Sequence, residues 1–346
     1  MNRTLWKFAA VGGVGLTAAL FAHRLRHRAD ISGQTVLITG GSRGLGLALA
    51  FEFARFDCRL AICARDRDQL AQAQSMLRER GAAAFACQCD VSDPEQVADM
   101  MHRVRDYYGQ IDILVNNAGE ILVAPLENTT VEDFERAMSV MFWGVLNTTL
   151  AVLPEMRERG QGRIANITSL GGVITVPHLM AYSCAKAAAM AFSEGLREEM
   201  GPHGVHVTTI APGLMRTGGH VNARFKGQAE DEAAWFKVAA SAPLISTSAE
   251  RIARQTVDAI RRGSSMRILP VEADLIARLH GAFPELLPGI LSLISRALPG
   301  PTTDSIREMK GTDMEKEQGN ALKVLTTLGR RAGARLNQAQ ANESTA

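Results

Sequence analysis

Thr35-Val36-Leu37-Ile38-Thr39-Gly40-Gly41-Ser42-Arg43-Gly44-Leu45-Gly46-Leu47-Ala48-Leu49-Ala50 is the stretch that decides the fold. Its first five residues form a short apolar, β-branched run, the pattern of a fully buried strand. Glycines at the spacing Gly40-x-x-x-Gly44-x-Gly46 follow, and then a helical pattern. Glycine lets a backbone turn tightly and approach a ligand closely. The start of the next helix offers free N–H groups and a positive dipole end, which favour a phosphate. Strand, glycine loop and helix in this order predict a dinucleotide site at Thr39, Gly40, Ser42, Arg43, Gly44, Leu45 and Gly46.

The alternation continues to Pro270. Strands are predicted at Thr35–Thr39, Arg59–Ala64, Ala84–Cys89, Ile113–Asn116, Arg163–Thr168, His206–Ile210 and Met266–Leu269. Amphipathic helices are predicted at Asp68–Arg80, Pro94–Tyr108, Val131–Arg159, Met180–Met200 and Ala249–Arg262. Short apolar strands between helices imply a mostly parallel, seven-stranded sheet covered on both faces. Right-handed crossovers make it an α/β, doubly wound, Rossmann-type fold.

The second strand ends at Ala64-Arg65-Asp66. An acidic residue at a strand end suits the ribose hydroxyls of NAD, and a nearby arginine suits the 2′-phosphate of NADP. Arg65 follows the strand directly and Arg43 lies in the glycine loop, so NADP(H) is the expected cofactor. Asp66 keeps a ribose contact open as the alternative.

Further along, Tyr182 and Lys186 stand four apart in a predicted helix, with Ser169 thirteen residues before the tyrosine. Positions i and i+4 share a helix face. An ammonium beside a phenol favours the phenolate, so the pair is expected to depress the tyrosine pKa and give a general acid or base. Ser169 closes the strand Arg163–Thr168, where its hydroxyl is expected to hold a substrate oxygen.

At this point the chain, over about residues 31 to 270, resembles the short-chain dehydrogenase/reductase family. Thr39-Gly40-x-x-x-Gly44-x-Gly46 is similar to its cofactor motif. Cys89-Asp90-Val91 resembles the segment whose aspartate and next residue contact adenine. Asn116-Asn117-Ala118-Gly119 resembles the motif that closes the fourth strand and flanks the cofactor. Ser169, Tyr182 and Lys186 match the family's catalytic residues. Pro212-Gly213 with Thr217 resembles the segment at the nicotinamide carboxamide. The resemblance implies interconversion of a carbonyl and an alcohol by hydride transfer. Tyr182 would act as proton donor or acceptor, Lys186 as its electrostatic partner and ribose ligand, and Ser169 as the polarising hydroxyl. One position departs from the pattern. The family's helix asparagine, which holds a relay water for the lysine, is replaced by Met141, whose thioether has no donor.

The chain has 346 residues, 46% of them apolar, with a net charge of +2. That is ample for a core and gives no reason to expect a nucleic-acid partner. Five cysteines without a metal-ligand spacing read as reduced, mostly buried thiols, and no metal site is expected. Three sequons begin at Asn128, Asn147 and Asn166. Asn166 lies in a predicted buried strand, so the three are read as coincidence.

Three parts are expected: 1–29, a membrane-anchor candidate with a basic flank; 30–272, the NADP-binding domain; and 273–346, an amphipathic extension. Leu5 to Ala22 is apolar apart from Lys7 and Thr17, and His23-Arg24-Leu25-Arg26-His27-Arg28 follows. A spanning helix needs ~20 residues, so anchor, signal peptide and packed helix all compete. With an anchor, the basic flank keeps the domain on the cytoplasmic side. Leu275 to Leu298 carries apolar residues at helical spacing, broken by Pro284 and Pro288. Residues 300–319 read as a polar linker, 321–333 as one more short helix, and the last ten as disordered.

A substrate loop is expected over Leu214–Ser246, carrying Met215, Arg224, Phe225, Lys226, Trp235 and Phe236. Pro177, Leu179 and Met180 should line the opposite side. A lipophilic small-molecule substrate is expected. The long helices Val131–Arg159 and Met180–Met200 offer a homo-oligomer face. Two rival readings remain: a non-catalytic NADP-binding scaffold or redox-sensing partner, favoured by Met141 and the C-terminal extension, and an epimerase on a related fold.

Overall fold

The computed structural model describes residues 28–243, 245–303, 307–313 and 326–338. The apolar segment 5–22 and most of its basic flank lie outside the described residues. Seven strands form one parallel sheet: β1 (Thr35–Thr39), β2 (Arg59–Ala64), β3 (Ala84–Gln88), β4 (Ile113–Asn116), β5 (Gly162–Ile167), β6 (Val205–Pro212) and β7 (Met266–Leu269). Their spatial order is β7-β6-β5-β4-β1-β2-β3, all neighbours parallel. The winding direction reverses between β1 and β4. A doubly wound sheet binds its ligand in the crevice at that point, beyond the carboxyl ends of the strands.

Every residue of β1 is buried. Val36 and Ile38 join the core on one face of the sheet and Leu37 the core on the other, as the two-residue strand period requires. The first face is covered by α1 (Gly44–Ala54), α2 (Arg67–Arg78) and, from later in the chain, the helix Ala249–Arg261. The second is covered by α3 (Pro94–Tyr108), α4 (Val131–Met138), α5 (Gly144–Arg159) and α6 (Met180–Met200). Asp66 caps α2 by accepting from the Asp68 and Gln69 N–H groups. Asp93 caps α3 in the same way, with Pro94 at its first position.

The single helix expected over Val131–Arg159 is interrupted. A π turn at Ser139–Trp143 separates α4 from α5. This stretch is long and apolar enough to cross a membrane, but half of its most apolar part is buried in the protein. Ala137, Val140, Met141, Val152, Leu153 and Met156 join the core on this face of the sheet, while Val131, Trp143 and Leu150 are exposed.

Under β4, β5 and β6 runs a chain of buried polar groups. Asn116 donates from Nδ2 to Asn166 Oδ1 at 2.9 Å and Thr149 Oγ1 at 3.1 Å, and accepts from Thr148 Oγ1 at 2.7 Å. Asn166 donates onward to Ser193, which bonds Thr209. Asn166 and Asn128 are fully buried. All five cysteines are free, three of them buried.

The C-terminal third departs from expectation. After α7 (Ala229–Ser241), α8 (Ala249–Arg261) and β7 come α9 (Val271–Ala282) and α10 (Leu286–Ser295). Leu275, Leu279, Leu286, Ile290, Leu293 and Ile294 on these two helices, and Phe283 between them, are exposed. The stretch 300–319, read as a linker, contains built structure. Thr302 and Asn128 exchange two hydrogen bonds, and Met309–Lys310 pairs antiparallel with Arg224–Phe225. A short helix does follow, as α11 (Thr327–Arg335). Asn337 and Gln338, within the ten residues read as disordered, are buried and hydrogen-bonded.

The Asn116 cluster gives a stability prediction. Asn116→Ala leaves Asn166 Oδ1 and Thr149 Oγ1 without the donor that Asn116 supplies. It is expected to lower unfolding free energy by about 1–3 kcal/mol, read as a reduced midpoint in urea with an unchanged slope.

Candidate active site

The carboxyl end of β1 is locked to that of β4. Thr39 Oγ1 accepts from the Asn117 and Ala118 N–H groups at 2.9 and 3.1 Å. Asn117 Nδ2 donates back to the Thr39 and Gly40 carbonyls at 3.0 and 3.1 Å. Gly40 has φ +62°, and a Cβ on Gly46 would lie 2.1 Å from the Gly40 carbonyl oxygen. No side chain fits there, which is why the loop folds tightly against the first turn of α1. Leu45 and Gly46 open that turn, so their N–H groups face the loop mouth, where an anion is favoured.

Arg43 precedes α1. Its Nη1 donates to Gln69 Oε1 at 3.1 Å and to Asn222 Oδ1. Burial holds its pKa below the usual arginine value, and the like charge of Arg65 adds to the effect. Arg65 is half-exposed and lies 3.8 Å from Asp90 and 3.9 Å from Glu120. The charge of Arg65, at the end of β2, thus bears on the Arg43 guanidinium. Asp66, the residue that kept a ribose contact open, turns its carboxylate to the N-terminus of α2. Asp90 accepts from Ser92 N and Oγ, and Val91 packs against Gly144. The donor set fits a dinucleotide: a glycine loop, a helix N-terminus and paired arginines beside a strand end. Gly213 donates its N–H to the Leu269 carbonyl, which ties Pro212-Gly213 to β7. Thr217 packs near Gly44 across the loop mouth.

Ser169, Tyr182 and Lys186 come together as expected. Ser169 follows β5, and its hydroxyl lies beside the Tyr182 phenol, where it favours the phenolate. A Cβ on Gly171 would lie 3.4 Å from both Ser169 Oγ and the Tyr182 ring. Lys186 is buried and donates from Nζ to the Ile167 carbonyl at 2.8 Å. The expectation that Lys186 depresses the Tyr182 pKa needs correction for this geometry. Burial pushes the phenol above its ordinary value, and the Ser169 hydroxyl offsets only part of that. The Lys186 ammonium sits 5.9 Å from the centroid of the tyrosine ring. Burial also lowers Lys186 to about 8.

Met141 lies in the π turn, buried, and its sulfur points at this centre. A Cβ on Gly119 would lie 3.5 Å from Met141 Sδ and 3.7 Å from Lys186 Nζ. Met141 and Lys186 therefore both flank Gly119.

The chain belongs to the short-chain dehydrogenase family. The family's sequence profile, described as short chain dehydrogenase, matches residues 34–226. The dehydrogenase/reductase SDR family protein 7-like of Anopheles gambiae is 35% identical over 225 residues, 64% of this chain and 71% of that protein. The 11-beta-hydroxysteroid dehydrogenase 1A of Arabidopsis thaliana is 34% identical over 205 residues, 58% of each chain. Among solved structures, L-sorbose reductase from Gluconobacter frateurii, in complex with NADPH and L-sorbose, superposes with a TM-score of 0.62 at 28% identity. That likeness covers 69% of this chain and 96% of the reductase. The protein is accordingly an oxidoreductase of this family, with a nicotinamide cofactor and a small-molecule substrate.

Two cations expected at the substrate loop face elsewhere. Arg224 is buried against Glu120 at 2.8 Å and Glu308 at 2.6 Å, and Lys226 is buried against Asp133. They fasten the loop to the body of the short-chain dehydrogenase domain. Glu120, Gln69 and Asn222 were not anticipated at the cofactor loop. They carry no motif and reach it only through tertiary contacts.

Met141 leads to a pH prediction. In carbonyl reduction, activity that depends on the charged lysine falls as pH rises through about 8. Met141→Asn places an acceptor oxygen beside Nζ, favours the ammonium, and is expected to move this limb of the kcat/KM profile upward. Met141→Leu should leave the limb where it is.

Proposed function

We propose that the protein is an NADP(H)-dependent reductase of lipophilic ketones, with Tyr182 as the proton donor. The observation that carries the cofactor assignment is the placement of Arg43 at the entry to α1 and Arg65 at the end of β2, with the charge of Arg65 bearing on the Arg43 guanidinium. Two like charges repel, and the 2′-phosphate of NADP offsets that repulsion with charge-assisted hydrogen bonds. The engagement of Asp66 at the cap of α2 supports the same choice. The bound nicotinamide supplies the hydride.

The residues of the chain do the rest. Ser169 holds the substrate oxygen against the phenol. Because burial raises Tyr182, the phenol is protonated at neutral pH and ready to donate. Alcohol oxidation needs the phenolate, so this environment favours reduction. Lys186, charged below about 8, stabilises the phenolate left by donation. Tyr182 packs on an apolar cluster that includes Val123, Leu179, Phe225 and Phe236, with Trp235 packed on the same cluster, and these surroundings support a lipophilic substrate. A steroid dehydrogenase among the relatives agrees with that class.

The test is a panel of carbonyls with NADPH and NADH. Lipophilic ketones are expected to turn over with NADPH preferred. Tyr182→Phe should lower kcat by ~10²–10⁴-fold, the range of general acid catalysis, with NADPH affinity retained. Turnover of small polar carbonyls alone sinks the substrate class. Tight NADPH binding without any turnover would favour the non-catalytic scaffold.

Membrane association with the domain on the cytoplasmic side belongs to the same proposal. The apolar run 5–22 and the exposed apolar residues of α9 and α10 support it. Full-length protein is expected to sediment with phospholipid vesicles, and protein lacking residues 1–29 to sediment less. Equal recovery in the supernatant for both forms overturns the anchor.

A further inference from the structure

We propose that the segment Leu336–Gln338, which follows α11, positions Arg43 and thereby sets the preference for NADP(H) over NAD(H); this rests on the cofactor reading above. The segment lies more than a hundred residues beyond the family profile, which ends at residue 226. It nevertheless docks on the phosphate loop. Leu336 accepts at its carbonyl from the Gly44 N–H at 2.8 Å. Asn337, with φ +57° and its side chain buried, donates from Nδ2 to the Ser42 carbonyl at 2.9 Å and the Gln69 carbonyl at 3.0 Å. Both partners are carbonyls, so the amide orientation is determined by its surroundings. Gln338 Oε1 accepts from Asn222 Nδ2 at 2.7 Å, and a Cβ on Gly44 would lie 2.7 Å from Gln338 Nε2.

These contacts converge on one guanidinium. Arg43 Nη1 is held between Gln69 Oε1 and Asn222 Oδ1. Asn337 holds the Gln69 backbone at its carbonyl, and Gln338 holds the Asn222 side chain. A guanidinium has five N–H donors in a rigid fork. Fixing it through Nη1 orients the Nε and Nη2 donors without consuming them, and a phosphate is bound best by a fork already aimed. A second observation points to a ligand. Asn337 Oδ1 is buried without a hydrogen-bond partner among the described residues. A buried acceptor without a donor is costly, and a ligand that brings a donor to this loop would relieve it.

The test compares NADPH and NADH in steady-state kinetics and in fluorescence titration. The proteins are wild type, Asn337→Ala, Gln338→Ala, Arg43→Ala and the double variant Arg43→Ala/Asn337→Ala. Asn337→Ala and Gln338→Ala are each expected to raise KM and Kd for NADPH roughly tenfold, the scale of one charge-assisted contact. The change should fall on KM rather than kcat, with NADH little affected. In the double variant the two losses should not add, because both act through one guanidinium. Equal losses for the two cofactors, or additive losses in the double variant, overturn the inference and leave a merely structural strap. Tighter NADPH binding in the variants also overturns it, since the segment would then compete with the cofactor. A wild type that does not prefer NADPH sinks the cofactor reading itself, and this inference with it.

Discussion

The clamp between Asn117 and the end of β1 is the constraint on which the site depends. One side chain donates to the Thr39 and Gly40 carbonyls, while Thr39 Oγ1 receives the N–H groups of Asn117 and Ala118. Four hydrogen bonds thus join the two strands where the sheet changes direction. On one side of this joint the glycine loop presents the start of α1. On the other, two residues along, Gly119 closes against Met141 and Lys186. The phosphate end and the proton-transfer end of the crevice are therefore set by one local geometry. Buried hydrogen bonds suit this task because they are directional and costly to leave unmade.

Burial governs the chemistry of the centre. A lysine and a tyrosine one helical turn apart suggest mutual adjustment, with the ammonium depressing the phenol. In the folded protein both groups move toward their neutral forms, the phenol upward and the lysine down to about 8. Desolvation penalises each charge separately, and at the observed separation their attraction does not reverse it. The same balance operates at Arg43, where burial is the first cause of the lowered pKa and the charge of Arg65 the second. Both places hold charge-bearing groups in surroundings that disfavour their charge. Such surroundings are what a charged or polarised ligand relieves.

Much of this was legible from sequence, for physical reasons. Strands buried on both faces read as apolar runs, so β1, β2 and β4 fall on their expected residues, and the edge strand β7 does so as well. Pro94–Tyr108 and Met180–Met200 were equally plain, the first because Asp93 and Pro94 mark its start. The π turn at Ser139–Trp143 left no trace, since the apolar pattern runs straight through it. Arg224 and Lys226 looked like cations of an exposed loop. Their carboxylate partners, Glu120, Asp133 and Glu308, lie 84 to 104 positions away, and no local pattern announces such pairings. The segment after α11 was hidden most completely. It acts through two side-chain amides and one carbonyl, and none of these has a periodicity to detect.

That segment has a consequence for the order in which the molecule is made. Asn337 meets Ser42 across 295 positions of chain. At about 5–20 residues per second, synthesis of that interval takes roughly 15–60 s. During all of it the phosphate loop stands without the Leu336 carbonyl and the Asn337 amide. The glycine loop thus leaves the ribosome long before it acquires its complete surroundings. A protease nick between residues 326 and 338 would, by the same reasoning, be an injury to a loop almost three hundred positions earlier in the chain.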